Sequence, residues 1–161
     1  MKYLITIVGP TAIGKTALSI ALAQHLKCEI VSCDSRQFFK EMTIGTAVPS
    51  QEELNAAKHH FIQNKSIFDN YTVGDYEKEA LLKLEELYQN NDFAILIGGS
   101  GLYVDAILKG FDEFPEIAPE IRAEVNLNYE KFGIEYLQEQ LQNLDPDYYQ
   151  KITIENPQTL Q

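Results

Sequence analysis

A glycine-rich octapeptide near the start of the chain constrains the fold more than any other feature. It matches the pattern G-x-x-x-x-G-K-[ST] at every fixed position, with Gly9, Pro10, Thr11, Ala12, Ile13, Gly14, Lys15 and Thr16. In this pattern successive backbone N–H groups and a helix N-terminus bind phosphate oxygens, and the lysine adds a positive charge. We therefore expect a P-loop that binds a diphosphate or polyphosphate.

The segments on either side of the octapeptide are those that a P-loop requires. Residues 3–8 form a short β-branched and apolar run, which predicts a buried strand. Residues 15–27 predict a helix, with apolar residues at helical spacing at Ala17, Leu18, Ala21, Leu22 and Leu26. The Thr16 hydroxyl stands where a P-loop places a ligand of Mg²⁺. We predict Mg²⁺ as the cofactor, with Thr16 as a metal ligand.

Later segments predict an α/β fold with a parallel sheet. Residues 29–33 and 93–97 predict short strands, and residues 75–89 predict an amphipathic helix. The apolar face of that helix comprises Tyr76, Ala80, Leu81, Leu84, Leu87 and Tyr88. Helices are also predicted near residues 119–131 and over residues 134–144. The class is therefore a three-layer, P-loop NTPase-like fold followed by a mostly helical segment.

The same patterns predict two domains. Residues 1–111 form the P-loop core, with a flexible insertion near residues 40–72, and residues 112–161 form the helical segment. A short helix is predicted from Gln51 to His59. His59 and His60 are adjacent, so on a helix they would point about 100° apart and could not chelate one metal ion. We expect them to have a structural role or to form loop contacts.

Composition narrows the class of protein further. The net charge of −11 is uneven, because residues 1–70 carry +1 and residues 71–161 carry −12. Carboxylates repel backbone phosphates, so the second half is a poor nucleic-acid surface. Cys28 and Cys33 are too few and too close to form a disulfide framework, and no apolar stretch is long enough to cross a membrane. We expect a cytoplasmic, monomeric protein with no membrane partner.

Asp34 is the first candidate for a catalytic group. It follows the second predicted strand, and in an open parallel sheet that end of the strand lies beside the P-loop. Its carboxylate could accept a proton from a nucleophile, and it could equally cap a helix or bind Mg²⁺ through water. The third strand ends in Gly98-Gly99-Ser100-Gly101 without an aspartate. That ending argues against a motor ATPase or GTPase and favours transfer chemistry on a phosphate ester.

Six ordered sequence blocks resemble the N-terminal half of the bacterial tRNA dimethylallyltransferase family. They are residues 9–16, 34–37, 44–47, 59–62, 98–103 and 156–158. The resemblance implies transfer of a dimethylallyl group from dimethylallyl diphosphate to N6 of the adenosine 3′-adjacent to the anticodon, in tRNAs that read codons beginning with U.

The resemblance also assigns roles to residues. Asp34 would take the proton from the adenine amine, and Ser100 would be the second catalytic residue. The whole P-loop and Ser100 would face the diphosphate. Contacts with the tRNA anticodon stem-loop, including the flipped-out base, would come from Asp34, Ser35, Arg36, Gln37, Arg122 and Gln158.

The sequence departs from the family pattern at Ile13, Val48, Ser100 and Thr159, where serine, lysine, threonine and arginine are usual. A helix also starts at Pro157 and stops within four residues, and the family's later basic segments are missing. We therefore predict a fragment or degenerate copy. Three alternatives stay open: a P-loop small-molecule kinase with ATP in the loop, an adenylate prenyltransferase, and an inactive diphosphate-binding fragment.

Overall fold

A computed structural model describes residues 1–110 and 117–160, apart from the side chains of Pro119, Gln158 and Thr159. The chain divides into two compact units, Met1–Asp112 and Glu113–Gln161. The predicted domain boundary between residues 111 and 112 lies outside the described residues. Within the described part of the chain, no helix is long and apolar enough to cross a membrane.

Over residues 1–110, the first unit contains four parallel strands and four helices. In chain order these are β1 Tyr3–Val8, α1 Lys15–Leu26, β2 Ile30–Ser32, α2 Gln51–Ala56, β3 His59–His60, α3 Val73–Asn90, β4 Phe93–Gly98 and α4 Gly101–Lys109. The strand order in the sheet is β1-β4-β2-β3, and every pairing is parallel. The connections from β1 to β2 and from β3 to β4 cross over through α1 and α3, as parallel pairing requires.

The core lies on both faces of this sheet, because successive side chains of a strand point to opposite sides. Ile95 and Ile97 pack in a cluster with Ala23 of α1. Ala94 and Leu96 pack on the other side, in a cluster that includes α3 and the rings of Phe38, Phe61, Tyr76 and Tyr103. Helices therefore cover both faces, and the predicted three-layer α/β class is confirmed.

The prediction that β1 is buried is wrong, and the buried residues of α1 are not those of its apolar spacing. The strand β1 has the predicted bounds, but it lies at the sheet edge and none of its six residues is buried. In α1 the buried residues are Ser19 and Ala23, whereas Leu18 is half exposed. Small side chains face the sheet here because α1 lies close to it, and the Ser19 hydroxyl is satisfied by the Thr16 carbonyl at 2.8 Å.

The helices α2 and α3 begin at capping boxes. The hydroxyl of Ser50 accepts from the N–H of Glu53, and that of Thr72 accepts from the N–H of Asp75. Because α2 ends at Ala56, the prediction of a helix to His59 is wrong. The two histidines instead form β3, which pairs with Ile30 and Val31. In α3 the predicted apolar face is mostly correct, but Leu81 is exposed.

The second unit is helical. It contains α5 Pro119–Phe132, α6 Ile134–Leu144, α7 Pro146–Tyr149 and α8 Pro157–Leu160. Gly133, at φ 81°, separates α5 from α6. The buried Leu137 anchors α6, and Gln138 Nε2 donates to the Ile154 carbonyl at 2.9 Å. The predicted helical segment is confirmed.

Candidate functional site

The loops that follow β1, β2 and β4 meet at the carboxyl edge of the sheet and enclose two cavities. The phosphate cavity, of about 280 Å³, is lined by the P-loop residues Thr11, Ala12, Gly14, Lys15 and Thr16. The polar cavity, of about 320 Å³, is lined by Gly9, Pro10, Ser35, Arg36 and Ser100 among others. Asp34 and Thr11 line both cavities, so the two adjoin at these side chains.

The loop between β1 and α1 turns at three residues of positive φ. Gly9 and Gly14 have φ of 154° and 98°, and Ala12 is left-handed at φ 65°. Lys15 Nζ donates to the carbonyl oxygens of Gly9 and Pro10, each at 2.7 Å. The lysine is therefore held over its own loop, where phosphate oxygens can replace the carbonyls. The Ile13 side chain lines neither cavity and is 67% exposed.

Asp34 is held by local hydrogen bonds at the end of β2. Its backbone N–H donates to Ser32 Oγ at 3.3 Å, and its Oδ1 accepts from the Arg36 N–H at 3.2 Å. These bonds fix the carboxylate in a turn of the Asx type. The group is partly exposed, and it faces both cavities. It can therefore accept a proton from a molecule bound beside the P-loop.

Ser100 joins the loops after β2 and β4. It is the N-cap residue of α4 but makes no capping hydrogen bond with its side chain. Its Oγ instead accepts from the Ser35 N–H at 3.2 Å and lies 3.1 Å from Ser35 Oγ. Ser100 lines the polar cavity rather than the phosphate cavity. In this geometry it positions the turn that carries Asp34.

Gln37 fixes a second loop at the rim of the cavities. Its Nε2 donates to the carbonyl oxygens of Ala47 at 2.8 Å and Thr46 at 3.2 Å, and its Oε1 accepts from Ser32 Oγ at 3.4 Å. The side chain of Gln37 is thus bonded to protein on both sides of its amide. It lines the phosphate cavity, whereas Ser35 and Arg36 line the polar cavity.

Five residues that line the phosphate cavity have no role in the site predicted from the sequence. They are Ala47, Pro49, Glu53, His59 and Ile62. The sequence does mark three of them, because residues 44–47 and 59–62 are two of the six blocks that resemble the family. His59 Nδ1 donates to the Ala57 carbonyl at 2.8 Å, and the buried Nε2 has no hydrogen-bond partner in the described part of the chain. Burial lowers the pKa of His59.

Gly98 marks the closest approach of β4 to β2. A Cβ atom there would lie 2.5 Å from Cys33 Sγ and 2.8 Å from the Cys33 carbonyl carbon, so the position has room only for glycine. Burial raises the pKa of the Cys33 thiol to about 12. Cys28 and Cys33 are both free thiols, as their spacing predicted.

The oxygen ligands of the phosphate cavity suit Mg²⁺. The Thr16 hydroxyl and the Asp34 carboxylate line the same cavity, and Mg²⁺ prefers a few protein oxygens completed by phosphate oxygens and water. The described residues contain no cluster of three or more histidine, cysteine, aspartate or glutamate side chains that could hold a metal ion alone. The site therefore fits a metal ion that arrives with a phosphate ligand.

Two predicted tRNA contacts belong to the second unit of the chain. Arg122 is an exposed residue of α5 in the second unit. The side chain of Gln158 lies outside the described residues. Both roles stay predictions.

A parallel sheet, a phosphate loop after its first strand and a carboxylate beside that loop define a P-loop protein of the α/β class. The sequence profile of the family described as IPP transferase matches residues 37–161. The chain belongs to this IPP transferase family, and the resemblance inferred from the six blocks is confirmed.

Relatives and solved structures agree with this assignment. The chain is 89% identical over 161 residues to a tRNA dimethylallyltransferase of Flavobacterium johnsoniae, with all of this chain and 52% of the relative covered. It is 32% identical to the crystal structure of the full-length tRNA isopentenylpyrophosphate transferase of Bacillus halodurans, with a TM-score of 0.67 over 99% of this chain and 53% of that chain.

A further solved structure supports the fold alone. The TM-score is 0.84, at 22% identity, against a eukaryotic dimethylallyltransferase acting on tRNA, with 99% of this chain and 40% of that chain covered. The chain thus spans about half the length of the curated relatives that it matches.

Proposed function

We propose that the chain forms the P-loop part of a cytoplasmic, monomeric tRNA dimethylallyltransferase. The complete enzyme transfers a dimethylallyl group from dimethylallyl diphosphate to N6 of the adenosine 3′-adjacent to the anticodon, in tRNAs that read codons beginning with U. One observation carries the proposal: two cavities adjoin at a single carboxylate, Asp34. A transfer between two substrates needs this arrangement, with a base between them.

The phosphate cavity suits an allylic diphosphate. Its lining includes the P-loop and the ammonium of Lys15, and loop amides and a lysine bind phosphate oxygens. The lining also includes the apolar side chains of Ala47, Pro49 and Ile62, beside the polar Glu53 and His59, and a short hydrocarbon chain can pack on the apolar ones. A five-carbon diphosphate has both kinds of group.

The polar cavity suits the adenine of a flipped-out nucleotide. Ser35, Arg36, Thr46 and Ser100 supply hydrogen-bonding and cationic groups at its wall. Arg36 is exposed, so its guanidinium can also reach a backbone phosphate. In this position the N6 amine of adenine would lie next to Asp34, with the allylic carbon on the opposite side.

The transfer step follows from this placement. A bond forms between adenine N6 and C1 of the dimethylallyl group as the C1–O bond breaks, and the electron pair leaves with the diphosphate. Lys15 and the loop amides stabilise the charge that develops on that diphosphate. The proton on N6 passes to the Asp34 carboxylate. Mg²⁺, held by the Thr16 hydroxyl and phosphate oxygens, would add charge neutralisation at the leaving group.

Direct titration tests the donor assignment against a kinase. The 161-residue chain with Mg²⁺ should bind dimethylallyl diphosphate more tightly than ATP in calorimetry, and the variant Lys15→Met should weaken that binding. Tight binding of ATP with weak binding of the allylic diphosphate would instead support a small-molecule kinase.

A chimera tests the transfer. In it this chain replaces the matching 161 residues of the Flavobacterium johnsoniae relative. The chimera should prenylate a stem-loop whose anticodon ends in A, which pairs with a codon beginning in U, in preference to one whose anticodon ends in G. The isolated chain should bind the donor without full transfer. An inactive chimera that still binds the donor would support a non-catalytic diphosphate-binding protein.

A further inference from the structure

Ile44 is an apolar side chain placed in solvent at the entrance of the polar cavity. It is 97% exposed, more than any other large apolar residue of the described chain. The next two residues, Gly45 and Thr46, line the polar cavity. The side chain therefore stands beside the opening through which the acceptor of the proposed reaction enters.

The loop that carries Ile44 is held from several directions. Thr43 Oγ1 accepts from Gln63 Nε2 at 2.8 Å, and the Thr46 hydroxyl donates to the Met42 carbonyl. Gln37 bonds the carbonyl oxygens just after Ile44, as described above. Gly45 and Ala47 have positive φ of 78° and 50°, a geometry that only a well-determined loop maintains in a residue other than glycine. The loop presents Ile44 at a fixed place with little ordering left to do on binding.

The charges around Ile44 suit a nucleic acid. The exposed cations Arg36 and Lys40 lie on the segment that leads into the loop, and no acidic residue occurs from Met42 to Gln51. The one carboxylate between Lys40 and Met42, Glu41, is bonded to Ser66 Oγ and the Ile67 N–H. An apolar side chain that follows two cations beside a cavity resembles the wedges that proteins insert between bases, where the neighbouring phosphates need positive partners.

We propose that Ile44 is a base-stack wedge. When the target adenosine leaves the anticodon loop for the polar cavity, Ile44 occupies the gap and contacts the faces of the two bases that flanked it. The proposal rests on the proposed function, because it needs a flipped-out acceptor. It assigns a positioning role to Ile44, which does not contact the reacting atoms.

A fluorescent base tests the wedge separately from the chemistry. A stem-loop with 2-aminopurine at the target position lacks the 6-amino group, so it cannot be prenylated, and its fluorescence rises when the base unstacks. The chimera with wild-type Ile44 should give a large rise. Ile44→Ala should lower the saturated rise at least threefold while the affinity for dimethylallyl diphosphate stays unchanged, and Ile44→Met should restore most of it.

Phe68→Ala is the matched control. Phe68 is also apolar, is 87% exposed and lines neither cavity, so its truncation should leave the rise unchanged. An equal rise with Ile44→Ala and wild type would overturn the wedge and leave the proposed function intact. A loss of thermal stability with Ile44→Ala, without any change in the rise, would mean that the protein's own chain covers Ile44. No rise with the wild-type chimera would overturn both proposals.

Discussion

The loops after β1 and β2 face each other across the two cavities, yet they are held in different ways. The P-loop is mostly exposed, and the Lys15 ammonium bonds to carbonyl oxygens of its own loop. The turn at Asp34 is bonded to Ser100, which lies in the loop after β4. The loop at Ile44 is bonded to the side chains of Gln37 and Gln63, which lie before and after it in the sequence. We therefore expect the proposed acceptor side to be preorganised and the proposed donor side to become ordered when a diphosphate replaces the carbonyl oxygens around Lys15.

The largest effect should come from the carboxylate between the two sides. Asp34→Asn removes the proton acceptor but keeps the hydrogen bond from the Arg36 N–H, so the turn should keep its shape. We expect the rate constant for transfer by the chimera to fall by about 10²- to 10⁴-fold, the usual range for a general base. The affinity for dimethylallyl diphosphate should fall far less, because the loop amides, Lys15 and Thr16 remain to bind the diphosphate and its metal ion. Single-turnover transfer to the stem-loop measures the first quantity.

The exposed Asp69→Asn is the control for that loss, because Asp69 lies in neither cavity lining. Equal rates for Asp34→Asn and wild type would remove Asp34 from the chemistry and break the account of the acceptor side.

The next effect concerns the donor side. Lys15→Met removes a charge-assisted hydrogen bond, and such bonds contribute about 1.5–3 kcal/mol, so the Kd for dimethylallyl diphosphate should rise by about 10- to 100-fold. Lys78→Met, an exposed lysine of α3, should leave the Kd unchanged. Isothermal titration of the 161-residue chain measures both. An unchanged Kd with Lys15→Met would place the diphosphate elsewhere.

The third effect tests the rigidity of the acceptor side. Gly98→Ala places a Cβ against Cys33, one residue before Asp34, so it should lower the free energy of unfolding by about 1–3 kcal/mol, as overpacking does. Gly101→Ala is the matched control, because a Cβ there meets no atom within 4 Å. Chemical denaturation compares the two. Equal stability of both variants would show that β4 and β2 can move apart, which contradicts a preorganised turn.

The smallest effect is the pH dependence that His59 gives to stability. Burial lowers its pKa below 6.5, while Glu53 and the Ala57 carbonyl act in the opposite direction. The pKa of His59 is about 6.5 in the unfolded chain and lower in the folded protein. At pH values between the two, the unfolded chain binds more protons, so the free energy of unfolding should fall as pH drops from 7 through 6.5. His59→Asn should flatten this dependence in thermal melts between pH 7 and 5.5. The same slope in both proteins would assign the effect to another group.

The sequence predicts the P-loop, its flanking elements and the place of Asp34, because each depends on a local pattern. The partial exposure of β1 was not predictable, because an apolar strand has the same sequence pattern at the edge of a sheet as in its centre. The buried face of α1 was missed because close packing selects Ser19 and Ala23, which no hydrophobic pattern marks. The side chain of Gln37 bonds to backbone carbonyl oxygens about ten residues later in the chain. Every residue has such a carbonyl, so the residue types do not show which ones Gln37 contacts.

The most direct test of the account is a crystal structure of the chimera with the unreactive thiolo analogue of dimethylallyl diphosphate and an anticodon stem-loop. We expect diphosphate oxygens on the backbone amides of the P-loop, the hydrocarbon chain against Ile62, and adenine N6 within hydrogen-bonding distance of Asp34. An adenine ring in the phosphate cavity, or a target base still stacked in the anticodon loop with Asp34 facing solvent, would contradict it.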